Sequence, residues 1–544
     1  MTWVTRGRTA GAVVVLIAAL SAPVGPVAAR PVSPAQPPVL GPTPLPLGPA
    51  GLAETRTTST LQRGLTLTSI VRGAADSTQV WTVEVSIPST TTSPDPDAPA
   101  AALSDRASAE ALVGRLRAAG FDPRVEEVRT PPTADYAAGS LGWRVRVGRF
   151  ADKAAADVTL ARLVAGGYAG ASRFTGWDGD SSAAGPWRVR VLTINPRSFK
   201  GRLVASYGPD IERRETTSAL SNAVGATAAV NAGYFVLDPA SGAPGDPAGV
   251  GVYGGKLLSE TVGRRPALVV QADGRTAVER LRWVGTVEGA QHDRLRLDGL
   301  NRVPGLIRNC GGLDDVPTVR PLHDFTCTDP DELVAFTSQF GIDTPTGPGL
   351  EAVLDPRGRV VSLRSPRGGP LLSGYRAVQA TGSLVDDLRS AAVVGKRLTI
   401  RTGLRDPRGG AVRTRTSLSV VNGGPELVRA GQLHVTARAD GFVRPAEPSF
   451  YYGFSAERNP RTFAGVDAAG RTVLVTVDGR STSSLGLSLV ETAAVAKALG
   501  MRSALNLDGG GSTTMVVDGR LTNQPSDATG ERPVGDALLI LPRR

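Results

Sequence analysis

Histidine and cysteine are nearly absent: the 544 residues hold 3 His (His292, His323 and His434) and 2 Cys (Cys310 and Cys327). The histidines are far apart and show no ligand spacing, which excludes a His-based zinc centre and a Ser-His-Asp triad. Only His323 falls between the cysteines, so zinc is excluded there as well. In an exported chain the two cysteines are expected to pair as one disulfide, worth about 3 kcal/mol by loop closure. Long apolar runs are missing beyond the N-terminus, and no later segment is apolar enough to span a bilayer. The net charge of +11 comes without any Lys/Arg block. Basic residues, nearly all Arg, are scattered through every segment, which excludes nucleic acid as the partner and leaves general solubility as the reason for the charge.

What is present begins with an export signal. Basic residues in Met1–Arg8 precede an apolar run from Ala12 to Leu20 that ends in Ser21 and Pro23, and Val27-Ala28-Ala29 then sets cleavage after Ala29. The reading is a secreted protein with no transmembrane anchor after cleavage. Residues 30–60 are rich in proline and are expected to form an extended linker. A strand follows near Leu65–Val71. At this length the chain has room for two or three domains.

Residues 79–177 show a near-repeat of strand, helix and strand. The first half has Val80–Ile87, a helix Ser104–Ala119 and a strand Pro123–Val128, with a Ser/Thr/Pro insertion at Ser89–Pro99. The second has Trp143–Val147, a helix Asp152–Val164 and a strand Ala171–Phe174. Two such halves predict a ferredoxin-like module. The run Trp143-Arg144-Val145-Arg146-Val147-Gly148-Arg149-Phe150, followed by Gly167-Tyr168, resembles a SPOR domain. The resemblance implies binding to peptidoglycan glycan strands.

From residue 187 to 544 the chain reads as one large mixed-sheet domain, so the fold class is α+β. Short β-branched strands are expected at Trp187–Thr193, Ala267–Gln271, Ala352–Leu354, Leu398–Arg401, Val473–Val477 and Ala537–Leu541. A helix is expected at Leu487–Leu499, and a helix-like segment at Asp329–Phe340 within an inserted lobe spanning 290–350.

The most informative stretch is Asn506-Leu507-Asp508-Gly509-Gly510-Gly511-Ser512-Thr513. Alternation puts Leu505 and Leu507 on one face and Asn506 and Asp508 on the other, so a carboxylate stands where a strand opens into bare backbone. The glycines allow a ligand to approach their N–H groups. Further polar segments are Asn231-Ala232-Gly233-Tyr234-Phe235, Asn422-Gly423-Gly424 (equally a site segment or an ordinary hairpin turn), Asn459-Pro460-Arg461-Thr462, Val477-Asp478-Gly479-Arg480 and Glu531-Arg532-Pro533-Val534. Asp518-Gly519 reads as a turn only. Carboxylates suit a glycosyl centre, and arginines suit a phosphate.

These motifs, in this order, resemble the phosphodiester glycosidase family over roughly 187–541; the departures are the insertion and Ala232, where the family often has glycine. The resemblance implies hydrolysis of a sugar-1-phosphodiester at the anomeric carbon, in a sugar-phosphate wall polymer. It makes Asp508 the nucleophile or base, with Glu531 or Asp478 as second carboxylate. Arg461, Arg480 and Arg532 would clamp phosphate. Gly509, Gly510, Gly511, Ser512 and Thr513 would donate to oxyanion or sugar hydroxyls, while Asn231, Gly233, Tyr234, Thr462 and Asn506 would line the sugar site. No cofactor is required, and an accessory divalent cation, calcium or magnesium, is left open. Two other readings stay beside this one. One is a glycosidase of ordinary wall-glycan bonds; the other is a non-catalytic wall-binding protein with calcium on Asp478, Asp508 and Asp527, whose spacing matches no calcium loop.

Overall fold

The computed structural model describes residues 43–87, 101–179, 182–289, 294–310, 326–443 and 448–543. The signal segment, the Ser89–Pro99 insertion, His292 and His323 lie outside them. Among the described residues no helix is long and apolar enough to cross a membrane. Strand outweighs helix, 41% against 15%, so the architecture is mixed but strand-rich.

Strands Trp81–Val85, Pro123–Thr130, Gly139–Phe150 and Gly170–Phe174 form a four-stranded antiparallel sheet in the spatial order second, third, first, fourth. Helices Arg106–Ala118 and Lys153–Ala165 connect them, each started by an aspartate whose side chain accepts a first-turn amide: Asp105 from Ser108 N and Asp152 from Ala155 N. Val83, Val85, Val145 and Val147 alternate onto the face that packs on Leu112, Leu116 and Leu163.

The larger region is organised by an eight-stranded antiparallel sheet: Glu54–Gln62, Leu65–Arg72, Trp187–Ile194, Thr472–Val477, Arg461–Asp467, Met501–Asn506, Glu426–Arg429 and Gln432–Leu433. Two five-stranded sheets pack on it. One carries Ala228–Asn231 between Met515–Val517 and Ala537–Leu541; the other carries Ser419–Asn422 between Gly251–Tyr253 and Pro266–Val270. Leu192, Val230, Leu268, Val421, Leu474, Leu505, Leu507 and Leu538 from these sheets meet in one core. Helix Leu489–Ala498 closes the far side, begun by a capping box between Ser488 and Glu491.

Three sequence expectations are corrected. The linker reading of 30–60 fails over its described part: Glu54–Gln62 is the edge strand of the main sheet, and Leu45 and Leu47 are buried. Proline removes donors but does not prevent docking; Leu45 N donates to Glu54 Oε2 (2.8 Å) and Arg72 Nε to Leu47 O (2.8 Å). The helix expected at Asp329–Phe340 is instead strand Leu333–Thr337, paired on both sides and buried. The lobe is also larger than 290–350. After Thr276–Arg280 the chain builds separate sheets through Arg282–Glu288, Leu350–Leu354, Arg376–Ala380 and Thr399–Arg405, returning to the core sheets only at Ser419. Cys310 and Cys327 are disulfide-bonded, Cα–Cα 5.7 Å, within this lobe.

Candidate active site

Strand Met501–Asn506 lies inside the main sheet, and its pairing ends at Phe463 opposite Asn506. Leu505 and Leu507 point into the core as alternation requires. The polar side chains turn to internal partners. Asn506 Nδ2 donates to Leu507 O (2.7 Å), Tyr234 Oη (2.8 Å) and Gly424 O (3.3 Å). Tyr234 Oη in turn donates to Gly424 O (2.5 Å).

Where the chain leaves the sheet, the 231–235 motif takes hold of it. Asn231 Nδ2 donates to Asp508 O (2.6 Å), its Oδ1 accepts from Thr462 Oγ1 (2.7 Å) and Thr514 N (3.0 Å), and Asp508 N donates to Ala232 O (2.9 Å). Consecutive residues of one motif thus pin the Asp508 backbone on both sides. Asn422 does the same for the motif itself: it accepts from Tyr234 N (2.9 Å) and donates to Tyr234 O (3.1 Å). It is therefore not the hairpin turn its Asn-Gly sequence suggests.

These bonds correct the roles given to Asn231, Thr462, Asn506, Gly233 and Tyr234. All five are buried. Asn231, Asn506 and Thr462 spend their side-chain donors inside the protein, as buried polar groups must. Gly233 N donates to Asp536 Oδ1 (2.7 Å), and a Cβ on Gly233 would sit 2.7 Å from Asn422 Nδ2. The set builds the loop.

The glycine loop is corrected likewise. Gly509 N donates to Asp508 Oδ1 (2.9 Å) and Gly510 N to Pro460 O (2.9 Å), so these amides are committed. Ser512 Oγ and Thr513 Oγ1 are buried and have no hydrogen-bond partner in the protein. What the glycines admit is guanidinium. A Cβ on Gly510, whose φ is +57°, would lie 3.3 Å from Arg480 Nη2, and one on Gly511 would lie 2.2 Å from both Arg532 Nη2 and Asp527 Oδ1. Gly511→Ala is expected to expel the Asp527–Arg532 pair and lower kcat/KM at least about tenfold, with a melting-temperature loss of a few degrees, checked by steady-state kinetics and calorimetry.

The two proposed partner carboxylates are engaged elsewhere. Both oxygens of Glu531 are taken by Ser218, from its N (2.8 Å) and its Oγ (2.6 Å), at the start of helix Thr217–Ala223. Asp478 is buried and accepts from Gln524 N (3.0 Å); burial raises its pKa against the opposing pull of that bond and of Arg190. Each anchors a segment: Glu531 the start of helix Thr217–Ala223, and Asp478 the backbone at Gln524. Asp508 itself is half-buried.

The arginines differ sharply from one another. Arg532 is held by Asp527 in a two-pronged bond (2.7 and 3.1 Å). Arg480 has a φ of 55°, a backbone region that L-residues rarely occupy, and its Nε donates to Asn459 Oδ1 (3.2 Å). Arg461 is 2% exposed, lies over the Phe454 ring and donates to the carbonyls of Leu487 (2.9 Å) and Phe454. Among the described residues no carboxylate forms an ion pair with it. Burial lowers its pKa to about 10; Tyr234 opposes that shift and Arg480 adds to it. Glu491 acts on Arg461 only at a distance, and the Arg461 guanidinium is held by two carbonyls.

Two residues had no signal in the sequence. Arg214 sits in a Glu-Arg-Arg-Glu run that reads as solvated surface. It lines a cleft of about 410 Å³ with Leu237, Asp238, Asp527 and Arg532, and it has no ion pair among the described residues. Burial and then Arg532 push its pKa down. Asp536 is fully enclosed, accepting from Gly233 N and from Tyr253 Oη (2.7 Å). Burial raises its pKa to about 6. Because the folded value lies above the ordinary 3.8, its contribution to stability is full at low pH and is lost as pH rises through about 6. Asp536→Asn is expected to remove that slope, so that the stability difference from the native chain changes between pH 4 and 7 in denaturant titrations. Among the described residues no group of three or more His, Cys, Asp or Glu side chains is placed to hold a metal.

Comparison with known proteins bears on the same residues. The family model for phosphodiester glycosidase matches residues 353–541, and that for the SPOR domain matches 100–173. Asn231 lies ahead of the first span yet is bonded to Asp508 within it. The chain is 29% identical over 208 residues to bovine N-acetylglucosamine-1-phosphodiester alpha-N-acetylglucosaminidase, covering 35% of this chain and 38% of that protein. It thus spans well under half the length of that relative. The crystal structure titled "Putative exported protein" from Burkholderia pseudomallei superposes with a TM-score of 0.82 at 34% identity, covering 92% of this chain and 99% of that one. A hypothetical protein from Synechocystis, at 17% identity and a TM-score of 0.52 over 90% and 76% of the two chains, shares the fold.

Proposed function

The chain belongs to the phosphodiester glycosidase family and carries a SPOR domain, and from that premise we propose that it hydrolyses the anomeric C–O bond of a sugar-1-phosphodiester, of the N-acetylglucosamine-1-phosphodiester type, in an envelope polymer. Water attacks the anomeric carbon, the C–O bond pair leaves with the phosphate, and the products are a free sugar and a phosphomonoester. A phosphomonoester leaves readily, so general-acid help is a small part of the demand. The larger part is to hold the leaving phosphate and stabilise positive charge on the sugar ring.

The observation that carries this reading is a pinned carboxylate on the loop approached by a buried arginine, Arg461, that forms no ion pair among the described residues. Asp508 is fixed by Asn231 and Ala232, and Arg461 and Arg480 approach the same loop from the neighbouring strand ends. In this reading Asp508 is the nucleophile or base, Arg461 and Arg480 hold the phosphate, and Arg214 and Arg532 receive the anionic group beyond it. Secretion and attachment to the wall through the βαββαβ SPOR module complete the proposal.

The test is a comparison of substrates. The native chain should cleave an N-acetylglucosamine-1-phosphodiester far faster than an aryl N-acetylglucosaminide, and Arg214→Ala should raise KM for the former about tenfold with little change for the latter. Equal turnover of both substrates would assign the enzyme to ordinary glycosidic bonds.

A further inference from the structure

The SPOR sheet has helices on one face only, and its other face is occupied from within the chain. Alternation turns Glu84, Arg144 and Arg146 away from the helices. Arg146 is 1% exposed; it donates to Glu84 Oε2 (2.9 Å) and to both oxygens of Asp178 (2.7 and 2.6 Å). Against this face lies the segment 449–457. Ser449 Oγ accepts from Leu103 N (2.9 Å), Tyr451 packs on Tyr136 with ring centroids 5.0 Å apart, and Tyr452 Oη accepts from Arg144 (2.8 Å) and donates to Glu84 (3.1 Å).

Tyr452 opens a single π-helical turn, Tyr452–Ala456, a wide geometry that often marks a functional position. Its carbonyls are the ones that hold the site. Gly453 O accepts from Asn459 Nδ2 (2.7 Å), Asn459 Oδ1 accepts from Arg480 Nε (3.2 Å), and Phe454 O accepts from Arg461 Nη2. A continuous set of contacts therefore runs from the SPOR sheet through Tyr452 to both arginines at the glycine loop.

We propose that Tyr452, seated with its Ser449–Glu457 segment on the face of the SPOR sheet that carries no helices, is a positioning residue for the anion-holding pair Arg461 and Arg480. The reading rests on the proposed function only in naming phosphate as the anion.

The experiment uses the full chain and two readouts: inorganic phosphate affinity by calorimetry, and amide hydrogen exchange over residues 453–461. Tyr452→Phe keeps the ring and removes the hydroxyl. It is expected to weaken phosphate binding about tenfold, to speed exchange in 453–461 without changing it in helices 106–118 and 153–165, and to raise KM for the phosphodiester more than it lowers kcat. Arg117→Ala, exposed on the helical side, should change none of these. Unchanged exchange and unchanged phosphate affinity in folded Tyr452→Phe would overturn the proposal, as would uniform loosening of the whole chain. If Tyr452→Phe fails to fold, Glu84→Gln, which weakens the same seat, is judged by the same criteria. Selective loosening with weakened phosphate binding, in a protein that does not cleave phosphodiesters, would uphold the positioning and refute the function.

Discussion

Asp508→Asn is expected to lower kcat on the order of a thousandfold while the protein folds and binds phosphate as before. The carboxamide oxygen can still accept from Gly509 N, and the backbone bonds to Asn231 and Ala232 do not involve the side chain. The substitution therefore removes the negative charge and the nucleophilicity while leaving these bonds in place. Steady-state kinetics on the phosphodiester, with the melting temperature as control, decide it. Turnover within threefold of the native rate in a folded Asp508→Asn protein would remove Asp508 from the chemistry.

Arg146→Met should have the largest effect on stability. Arg146 is enclosed by Glu84 and Asp178, and its loss would leave the buried Glu84 short of its cation and Asp178 with Arg144 alone, at a cost of about 3–5 kcal/mol. Burial alone would raise the Asp178 pKa, but Arg146 and Arg144 overcome it and hold the group below 3.8. With the folded value depressed, this stability is present above pH 3.8 and is lost as pH falls through the folded pKa. The contrast is Lys153–Asp157, an exposed pair one helical turn apart, where Lys153→Ala should cost no more than about 0.5 kcal/mol. Denaturant midpoints for the two variants give the comparison; equal midpoints would mean that the sheet network does not hold the two regions together.

Some of this arrangement could be read from residues alone because the relevant physics is local. Leu505 and Leu507 alternate with Asn506 and Asp508 as a half-buried strand must, and Ser488 three residues before Glu491 marks a helix start. Leu333–Thr337 was open to misreading because a short apolar run after Asp-Pro-Asp fits a buried strand or a helix start equally well. Its strand character comes from the neighbours Gly299–Leu300 and Arg376–Ala380, which are distant in sequence. Leu45 and Leu47 sit in a proline-rich stretch whose composition says spacer, and only tertiary contact with the main sheet buries them.

The site divides in the same way. The motif positions around Asp508 do converge, but the direction of a side chain decides its role. Asn231 at a strand end looks alike in sequence whether it holds a sugar or a peptide carbonyl. Glu531 carries no mark in the sequence of the bonds that both its oxygens accept from Ser218. The glycines were legible as a close approach, though the group that approaches is guanidinium. Arg214 was invisible, because nothing in a charged run marks the member that faces a cleft.

The central claim is that the bond broken lies between the anomeric carbon and oxygen, not between oxygen and phosphorus. Hydrolysis of an N-acetylglucosamine-1-phosphodiester in heavy-oxygen water, with products read by mass spectrometry and phosphorus NMR, tests it most directly. The label is predicted in the anomeric hydroxyl of the released sugar, with an unlabelled phosphomonoester. Label in the phosphate, with the sugar leaving unlabelled, would contradict it.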